Sequence, residues 1–314
     1  MDDASPSQST MRAGRCAIVG RPNVGKSTLL NRLLGQKLVI ATPKPGTTRS
    51  AVLGVYVSED PPTQIAFVDT PGLLRPRTAL HKVLVEQAEL GLTDADAVLF
   101  VTEAPADRRG RKARPGLNPA DEPALAALDA VKAPVILALN KIDRLQGKRL
   151  LLPTIEAYQA RRPFDAVVPV SATKGTNLPG LIAELRQRMP EGALYEEDVL
   201  TDRPERFFVA ELVREAVLRH TRKEVPYGAA VFVEKMDEGR LTRIHATIVV
   251  EKDSHKGIVI GKGGQLIKTV GTEARAAIED FLQRRVHLEL WVKVIPGWTA
   301  DPAKARKLAV EAEA

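Results

Sequence analysis

The sequence feature that most constrains this chain is the octapeptide Gly20-Arg21-Pro22-Asn23-Val24-Gly25-Lys26-Ser27, which has the form G-x-x-x-x-G-K-[ST]. A short apolar run, residues 16–19, precedes it, and residues 27–34 follow with leucines at helical spacing. The glycines let backbone N–H groups turn toward an anion, and the start of a helix favours negative charge. The pattern therefore predicts a strand, a phosphate-binding loop and a helix, with Lys26 reaching the β and γ phosphates of a nucleotide and the Ser27 hydroxyl on magnesium.

Two later segments supply groups that a nucleoside triphosphate site with magnesium requires. Residues 43–49 form a proline- and glycine-containing stretch that ends in two threonines and Arg49. The apolar run 65–68 is followed by Asp69-Thr70-Pro71-Gly72. A carboxylate at a strand end followed by a glycine N–H is typical of a magnesium-facing aspartate and a γ-phosphate contact.

Two loops that follow apolar runs indicate which base the bound nucleotide carries. Residues 135–139 precede Asn140-Lys141-Ile142-Asp143, and residues 166–170 precede Ser171-Ala172-Thr173. A carboxylate such as Asp143 accepts two hydrogen bonds from the N1–H and amino group of guanine, whereas adenine offers an acceptor at N1. We expect Asn140 to tie neighbouring loops together, the Lys141 stem to pack on the base and the Ala172 N–H to read the guanine O6.

The alternation of apolar strands and helices predicts an α/β domain with a doubly wound, mostly parallel sheet and its ligand at the carboxyl ends of the strands. The chain length of 314 residues suits two domains. We expect a disordered tail at 1–12, the α/β domain at 13–190, a charged linker at 191–206, a second domain at 207–300 and a C-terminal tail at 301–314.

The second half has the order helix, strand, strand, helix, helix, strand, with Gly261-Lys262-Gly263-Gly264 between two helices. A Gly-x-x-Gly loop in this order is typical of a KH domain, which clamps about four nucleotides of single-stranded RNA. The order resembles the type II KH topology, a smaller α+β fold. The predicted RNA-contacting residues are Ile258, Ile260, Gly261, Lys262, Gly263, Gly264, Ile267 and Lys268.

Taken together, these motifs resemble those of the translation-factor-related small GTPases. Arg-Pro-Asn inside the phosphate loop and Gly-Thr-Thr-Arg after it narrow the resemblance to the branch of TrmE, Era and EngA. One GTPase domain followed by a KH domain is similar to the Era family, over about residues 14–300. The arginine-rich stretch 104–123 is longer than that family leads us to expect; a solvated loop is the favoured interpretation, and an extra RNA contact is the alternative.

The resemblance implies GTP hydrolysis with Mg²⁺ held by Ser27, Thr48 and Asp69. Thr48 is preferred to Thr47 because the family's metal-binding threonine directly precedes the arginine. Lys26, Thr48 and Gly72 are the expected catalytic residues. The nucleotide-binding set is Gly20, Arg21, Pro22, Asn23, Val24, Gly25, Lys26, Ser27, Thr28, Asp69, Thr70, Pro71, Gly72, Leu73, Asn140, Lys141, Ile142, Asp143, Ser171, Ala172 and Thr173.

Two side chains near the phosphates bear on the rate of hydrolysis. Leu73 occupies the position at which Ras-like GTPases carry a water-orienting glutamine, so slow intrinsic turnover is expected. Asn23 matches the asparagine with which related GTPases hold K⁺, and a purely loop-shaping role is the equal alternative. Arg49 and Arg75 are expected to be solvated or to face RNA, and Trp291 and Trp298 to be packing residues.

The net charge of +7 suits a polyanionic partner. The resemblance implies binding to the 3′ end of 16S rRNA and a role in 30S ribosomal subunit biogenesis. The alternatives are a nucleotide-gated RNA scaffold with negligible hydrolysis, and a GTPase acting on another structured RNA. A single cysteine, Cys16, and a polar N-terminus predict a cytoplasmic protein. A monomer is expected; the weak peripheral membrane association implied by the family has no clear amphipathic anchor.

Overall fold

The computed structural model describes residues 10–44, 46–107, 112–145, 147–196, 199–222 and 225–310. The predictions for 1–9 of the N-terminal tail, for 108–111 of the arginine-rich stretch, for 197–198 of the linker and for 311–314 of the C-terminal tail lie outside these residues. Two compact units compose the chain. The first comprises the described residues up to Gln36, Leu53–Asp69 and Gly91–Asp202, and the second comprises Lys37–Val52, Thr70–Leu90 and the described residues from Arg203 onward.

The first unit is built on a six-stranded sheet with the order β2-β3-β1-β4-β5-β6. The strands are β1 Arg12–Val19, β2 Val52–Glu59, β3 Pro62–Asp69, β4 Ala97–Glu103, β5 Val135–Asn140 and β6 Ala166–Pro169. β1 pairs in parallel with β3 and β4, β4 with β5, and β5 with β6. Every residue of β4 and β5 is buried, which fits a parallel sheet covered on both faces and explains their unbroken apolar runs. The predicted mostly parallel α/β fold is confirmed.

In the first half of the chain, each of β1, β3, β4, β5 and β6 is followed by a helix. These helices are α1 Lys26–Leu33, α2 Ala79–Leu90, α3 Glu122–Leu128, α4 Leu151–Arg161 and α5 Leu178–Arg186. A 3₁₀ turn, Pro119–Asp121, leads into α3, and another, Ile142–Arg144, follows β5. Because the parallel strands end at one edge of the sheet, the last residue of β3 and the loops after β1, β5 and β6 are brought together there.

The second unit contains a three-stranded sheet with the order β7-β8-β9. Its elements are α6 Glu205–His220, β7 Ala230–Asp237, β8 Thr242–Val250, α7 Asp253–Ile260, α8 Gln265–Leu282, β9 Val286–Val294 and α9 Pro302–Ala309. β7 and β8 pair antiparallel, while β8 and β9 pair in parallel. Apolar side chains of α6 and α8, among them Val213, Val217, Val270 and Ile278, pack on one face of the sheet and form a core with Ile244 of β8. The predicted KH architecture is confirmed.

The end of the described chain forms a helix where a tail was expected. Asp301 caps α9 by accepting the backbone N–H groups of Ala303 at 3.0 Å and Lys304 at 3.1 Å. Ala305 on α9 is buried in one cluster with Trp298 and apolar residues of α2. The cap and this apolar contact stabilise a helix that the charged sequence of 301–310 did not suggest.

The two tryptophans differ in their environment. Trp298 is fully buried, as predicted, and its indole N–H donates to Gly228 O at 3.1 Å. Trp291 is 61% exposed, so the prediction of a packing role is wrong for it. The reason is the alternation of β9, which places His287, Trp291 and Lys293 among its exposed residues. Among the described helices, none has the length and apolar character needed to cross a membrane.

Candidate nucleotide-binding site and RNA groove

The loop between β1 and α1 has the backbone of a phosphate cradle. Gly20 and Gly25 have φ angles of +150° and +104°, and α1 begins immediately after Gly25 at Lys26. A Cβ on Gly20 would lie 2.2 Å from Val101 O, and a Cβ on Gly25 would lie 2.4 Å from Asn140 Nδ2. Both positions therefore require glycine, for conformation and for space.

Lys26 is held inside this loop rather than extended into solvent. The residue is 6% exposed, and its Nζ donates to Gly20 O at 3.1 Å and to Arg21 O at 3.3 Å. Burial lowers the pKa of Lys26 to about 8, and nearby Asp69 only partly opposes that shift. The carbonyl oxygens around this buried ammonium are neutral and do not compensate its positive charge. A bound phosphate group would supply the compensating negative charge.

Oxygen ligands suitable for magnesium meet at the start of α1 and the end of β3. Ser27 Oγ donates a hydrogen bond to Asp69 Oδ2 over 2.8 Å, and Asp69 is fully buried. A hydroxyl and a carboxylate are hard ligands of the kind that Mg²⁺ takes together with substrate phosphates. The residues present therefore fit the ion predicted from the sequence.

Asn140 joins the base-binding loops to the phosphate loop. Its Nδ2 donates to Val24 O at 2.9 Å, and its Oδ1 accepts the N–H groups of Lys141 at 2.8 Å and Ala172 at 3.0 Å. The residue is 1% exposed. The expected tying role of Asn140 is confirmed, and the N–H of Ala172, which we expect to read the guanine O6, is bonded to this amide.

The remaining residues of these loops lie around Asn140. Lys141 has a φ of +63°, and its Nζ donates to Asn23 O at 2.6 Å. Asp143 is exposed at the loop surface, and its Oδ1 accepts the hydroxyl of Ser171. The Ser171 Oγ also lies 3.3 Å from Thr173 Oγ1. The structure thus brings the predicted phosphate loop and both predicted base loops together within the first unit.

The two threonine-containing segments belong to the second unit, which begins its first segment at Lys37 and its second at Thr70. The hydroxyl of Thr47 is engaged locally, donating to Lys44 O at 2.7 Å and lying 2.7 Å from Thr42 Oγ1. Thr47 is buried, whereas Thr48 is half-buried. This arrangement favours Thr48 as the metal-binding threonine, which stays a prediction, as do the phosphate contacts of Thr70, Pro71, Gly72 and Leu73.

Three polar residues differ from the sequence-based expectation or were missed by it. Arg49 is 4% exposed, so the expectation that it is solvated is wrong, whereas Arg75 is exposed. Glu103 ends β4, and Asp121, inside the stretch expected to be solvated, is fully buried. An acidic residue two positions after the apolar run of β4 was the available signal for Glu103; nothing local marks Asp121.

The loop between α7 and α8 has the features of an RNA-backbone clamp. Gly261, Gly263 and Gly264 have φ angles of +75°, +58° and +77°. A Cβ on Gly261 would lie 2.7 Å from Leu266 Cβ, whereas the space around Gly263 and Gly264 is open. Lys262 is exposed beside them, and Ile258 is 49% exposed on α7. Apolar side chains, positive charge and open backbone thus lie on adjoining elements, together with Ile260, Ile267 and Lys268.

These sites define a class of protein, a P-loop GTPase with a KH domain. Residues 15–141 match the family described as 50S ribosome-binding GTPase, and residues 224–299 match the KH domain family. The chain is 44% identical to GTPase Era of Trichlorobacter lovleyi over 309 residues, covering 97% of this chain and 100% of the relative. It is also 44% identical to GTPase Era of Geobacter metallireducens, covering 96% and 99%. The chain belongs to the GTPase Era family and is a GTP-binding GTP hydrolase.

Two solved structures of the family resemble the whole chain. A structure of Era in complex with MgGDPNP and nucleotides 1506–1542 of 16S ribosomal RNA has a TM-score of 0.87 and 40% identity, covering 95% of this chain and 98% of that one. A point variant of Aquifex aeolicus Era bound to GDP·AlF₄⁻ has a TM-score of 0.86 and 40% identity, covering 95% and 99%.

Proposed function

We propose that this GTPase binds the 3′ end of 16S rRNA through its KH groove, in a manner controlled by GTP, and assists assembly of the 30S subunit. It acts in the cytoplasm as a monomer. Support comes from the relative seen with nucleotides 1506–1542 of 16S rRNA and from the groove at Gly261–Gly264. The observation that carries the proposed control by GTP is the environment of Arg49.

Arg49 directly follows Thr48 and is enclosed by the C-terminal part of the second unit. Its guanidinium donates to Ala229 O at 2.9 Å and to Tyr227 O at 2.9 Å, and its central carbon lies 5.5 Å from the centroid of the Trp298 ring. Burial lowers the pKa of Arg49 to about 9, with Arg214 nearby acting in the same direction. A buried arginine with two carbonyl partners is costly to detach, because detachment leaves both carbonyls unpaired.

The segment before Arg49 is bound to the same part of the unit. Arg214 on α6 donates to Thr47 O, and Lys44 Nζ donates to the carbonyl oxygens of Leu218 and Thr221. Lys37 and Glu215 form an ion pair at 2.5 Å. The residues before Thr48 are therefore bonded to α6 and to the residue directly after it, whereas Arg49 is bonded to the segment before β7.

These contacts supply a physical route for control by nucleotide. If Thr48 binds the metal of the GTP complex, its segment has to satisfy both the metal and the contacts of Arg49 and Arg214. A nucleotide that moves this segment changes the free energy of the C-terminal part and with it the affinity of that part for RNA. By linkage, bound RNA changes the affinity for nucleotide by the same factor.

The chemistry follows from the groups around the phosphates. Ser27, Thr48 and Asp69 would hold Mg²⁺, which neutralises the charge that develops on the phosphates during in-line attack by water. Lys26 and the N–H groups at the start of α1 would bind the β and γ phosphates, and Gly72 would contact the γ-phosphate. Leu73 is 2% exposed and has no polar side-chain atom to orient water. Intrinsic turnover of about 10⁻⁴ to 10⁻² s⁻¹ is therefore expected.

The decisive experiment measures RNA affinity in different nucleotide states. An oligonucleotide from the 3′ end of small-subunit rRNA is titrated with the protein bound to GDP or to a non-hydrolysable GTP analogue, at one fixed salt concentration. We expect tighter binding in the GTP state, and at least tenfold weaker binding by Lys262→Glu. Lys262 is preferred to Gly261 as the test position, because a side chain at Gly261 would clash with Leu266.

Arg49→Gln tests the route, with Arg75→Gln as its control. Arg49 directly follows Thr48 and Arg75 lies three residues after Gly72, but only Arg49 is buried. We expect Arg49→Gln to reduce the difference in RNA affinity between the two nucleotide states and Arg75→Gln to preserve it. RNA binding by the wild type that is indifferent to nucleotide would contradict control by GTP and leave an RNA-binding scaffold whose nucleotide site is only structural. No binding would favour another structured RNA.

A further inference from the structure

A buried carboxylate connects the phosphate loop to the guanine loop in the first unit. Glu103, the last residue of β4, is 9% exposed. Its Oε1 accepts a hydrogen bond from Arg21, and its Oε2 accepts one from Lys141 Nζ at 3.0 Å. Arg21 belongs to the phosphate loop and Lys141 to the loop predicted to bind guanine. One carboxylate is thus the shared partner of both loops.

A second buried acid forms an ion pair with Arg21. Asp121 is fully buried, and its Oδ1 lies 2.9 Å from Arg21 Nε. Its Oδ2 accepts the hydroxyls of Thr102 at 2.5 Å and Tyr158 at 2.6 Å. These hydroxyls hold the carboxylate in place. The guanidinium of Arg21 therefore has two buried carboxylates as ion-pair partners.

The charges of this group balance, with two cations and two carboxylates. Burial alone would raise the pKa of Glu103, but Arg21 and Lys141 outweigh it and lower that pKa to about 2. Removing the charge of Glu103 would leave two cations without their common partner in a poorly solvated place, which is a costly arrangement. The side chains would then move apart toward solvent and carry their loops with them.

We propose that Glu103 is a positioning residue for guanine-nucleotide binding, which acts by holding Arg21 and Lys141, and thereby the phosphate and guanine loops, in their binding arrangement before nucleotide arrives. The role of Glu103 rests on the nucleotide site proposed above. In this role the carboxylate acts through the two side chains rather than by binding nucleotide itself. Its effect is on preorganisation, because loops that are already ordered lose less freedom on binding.

The hydrogen bond between Lys141 and the phosphate loop links the position of Glu103 to the order of both loops. Lys141 Nζ donates to Glu103 and, at 2.6 Å, to Asn23 O. Glu103 therefore fixes the ammonium that crosses from one loop to the other. Loss of the carboxylate should loosen both the base and the phosphate side of the site, and nucleotide should dissociate faster.

The test uses the full-length chain with Glu103→Gln, which keeps the shape of the side chain and removes its charge. Fluorescently labelled GDP and GTP are bound and chased in a stopped-flow instrument. We expect the Kd of both nucleotides to rise about tenfold, mainly through faster release. The kcat at saturating GTP should change less than twofold, because Glu103 does not touch the reacting atoms.

The control is Glu122→Gln, on the neighbouring helix α3. Glu122 pairs with Arg161 at 2.9 Å, and its side chain is 39% exposed. The variant also loses a carboxylate from an ion pair with arginine, but not beside the nucleotide loops. Its nucleotide affinity should equal that of the wild type, and an equal loss in both variants would overturn the proposal.

A double-mutant cycle with Lys141→Met separates positioning from general destabilisation. If Glu103 acts through Lys141, Glu103→Gln should cost clearly less affinity in the Lys141→Met background than in the wild type. Fully additive losses, or an unchanged Kd in Glu103→Gln, would overturn the proposal. If Glu103→Gln fails to fold, Glu103→Asp replaces it, with a smaller loss of affinity and the same dependence on Lys141.

Lys26→Ala distinguishes failure of the positioning role of Glu103 from failure of the proposed nucleotide-binding site. That variant removes a predicted direct phosphate contact and should lose most nucleotide binding. Wild-type affinity in Lys26→Ala would refute the nucleotide site, whereas a strong loss there with no effect of Glu103→Gln would refute only the positioning role.

Discussion

Ser27 Oγ lies 2.8 Å from Asp69 Oδ2, so the hydroxyl at the start of α1 and the carboxylate at the end of β3 are in direct contact. The two residues are 42 positions apart in sequence. The parallel pairing of β1 with β3 brings them together, since Asp69 is aligned with Ile18 in the register of the two strands. Substitution of Asp69 should therefore affect the predicted magnesium site.

Asp69→Asn should weaken the stimulation of GTP binding by Mg²⁺. The amide keeps an oxygen but loses the negative charge that a hard divalent cation requires. We expect GTP affinity in Mg²⁺ to fall at least tenfold, and affinity in EDTA to change much less. Nucleotide titrations with and without Mg²⁺ measure this change in affinity. Asp129→Asn, at an exposed aspartate, is the control. An unchanged Mg²⁺ effect would remove Asp69 from the metal site.

Nucleotide binding should be linked to protonation of Lys26. The pKa of Lys26 is lowered to about 8 by burial in the protein without nucleotide. A bound phosphate favours the charged amine, so above pH 8 binding should take up a proton and GDP affinity should fall as pH rises. Calorimetry at pH 8.5 in buffers of different ionisation enthalpy measures this uptake. Lys26→Arg, which stays charged, should show none.

Asp143→Asn should reduce selectivity for guanine. The exposed carboxylate is replaced by an amide that cannot accept two hydrogen bonds in the same way. We expect a loss of about 1–3 kcal/mol in GTP binding, the scale for a hydrogen bond with a charged partner. Competition between GTP and XTP measures the change. A GTP preference equal to that of the wild type would contradict the assignment of the base loop.

Acid stability should depend on Glu103. Its pKa is lowered to about 2, below the usual value of 4.5, so its contribution to stability is fully present above about pH 4.5. As pH falls from about 4.5 toward 2, the unfolded state takes up a proton that the folded state does not, and this contribution is progressively lost. Glu103→Gln should therefore lose less stability than the wild type between pH 5 and pH 3. Urea unfolding at several pH values tests the difference, and parallel curves would contradict it.

The cation dependence of hydrolysis should distinguish the two roles considered for Asn23. This residue has a φ of +67°, is exposed, and its backbone oxygen accepts Lys141 Nζ. That conformation is one that asparagine tolerates well, so the geometry accommodates the loop-shaping role too. Faster GTP hydrolysis in KCl than in NaCl, lost in Asn23→Ala, would support a K⁺ site. Equal rates in both salts would leave only the loop-shaping role.

Much of the candidate nucleotide site could be predicted because its chemistry is encoded in short, contiguous stretches. Gly20, Gly25 and Lys26 all belong to one short loop, whose motif can be recognised without knowing the rest of the fold. Asp69 and Asn140 are the last residues of buried strands, and parallel strands end at one edge of a sheet. Local pattern plus strand order was sufficient to predict that these residues meet.

Other features could not be predicted because they depend on which distant surfaces meet. Arg21 and Glu103 are 82 positions apart, and Arg49 and Ala229 are 180 apart. A charged residue in a loop is solvated by default, so both Arg49 and Asp121 were expected on the surface. Their burial is stable only because carbonyl, carboxylate and hydroxyl partners converge from other parts of the chain.

By itself, the sequence determined the type of fold, the phosphate loop, the guanine loops and the Gly-x-x-Gly loop, because these follow from backbone conformation and apolar periodicity over a few residues. Only the tertiary structure decided that Glu103 joins the two nucleotide loops, that Arg49 is buried beside Trp298, and that Trp291 is exposed. The physical reason is desolvation: whether a polar or aromatic group is buried, and with which partner, is set by contacts between segments far apart in sequence.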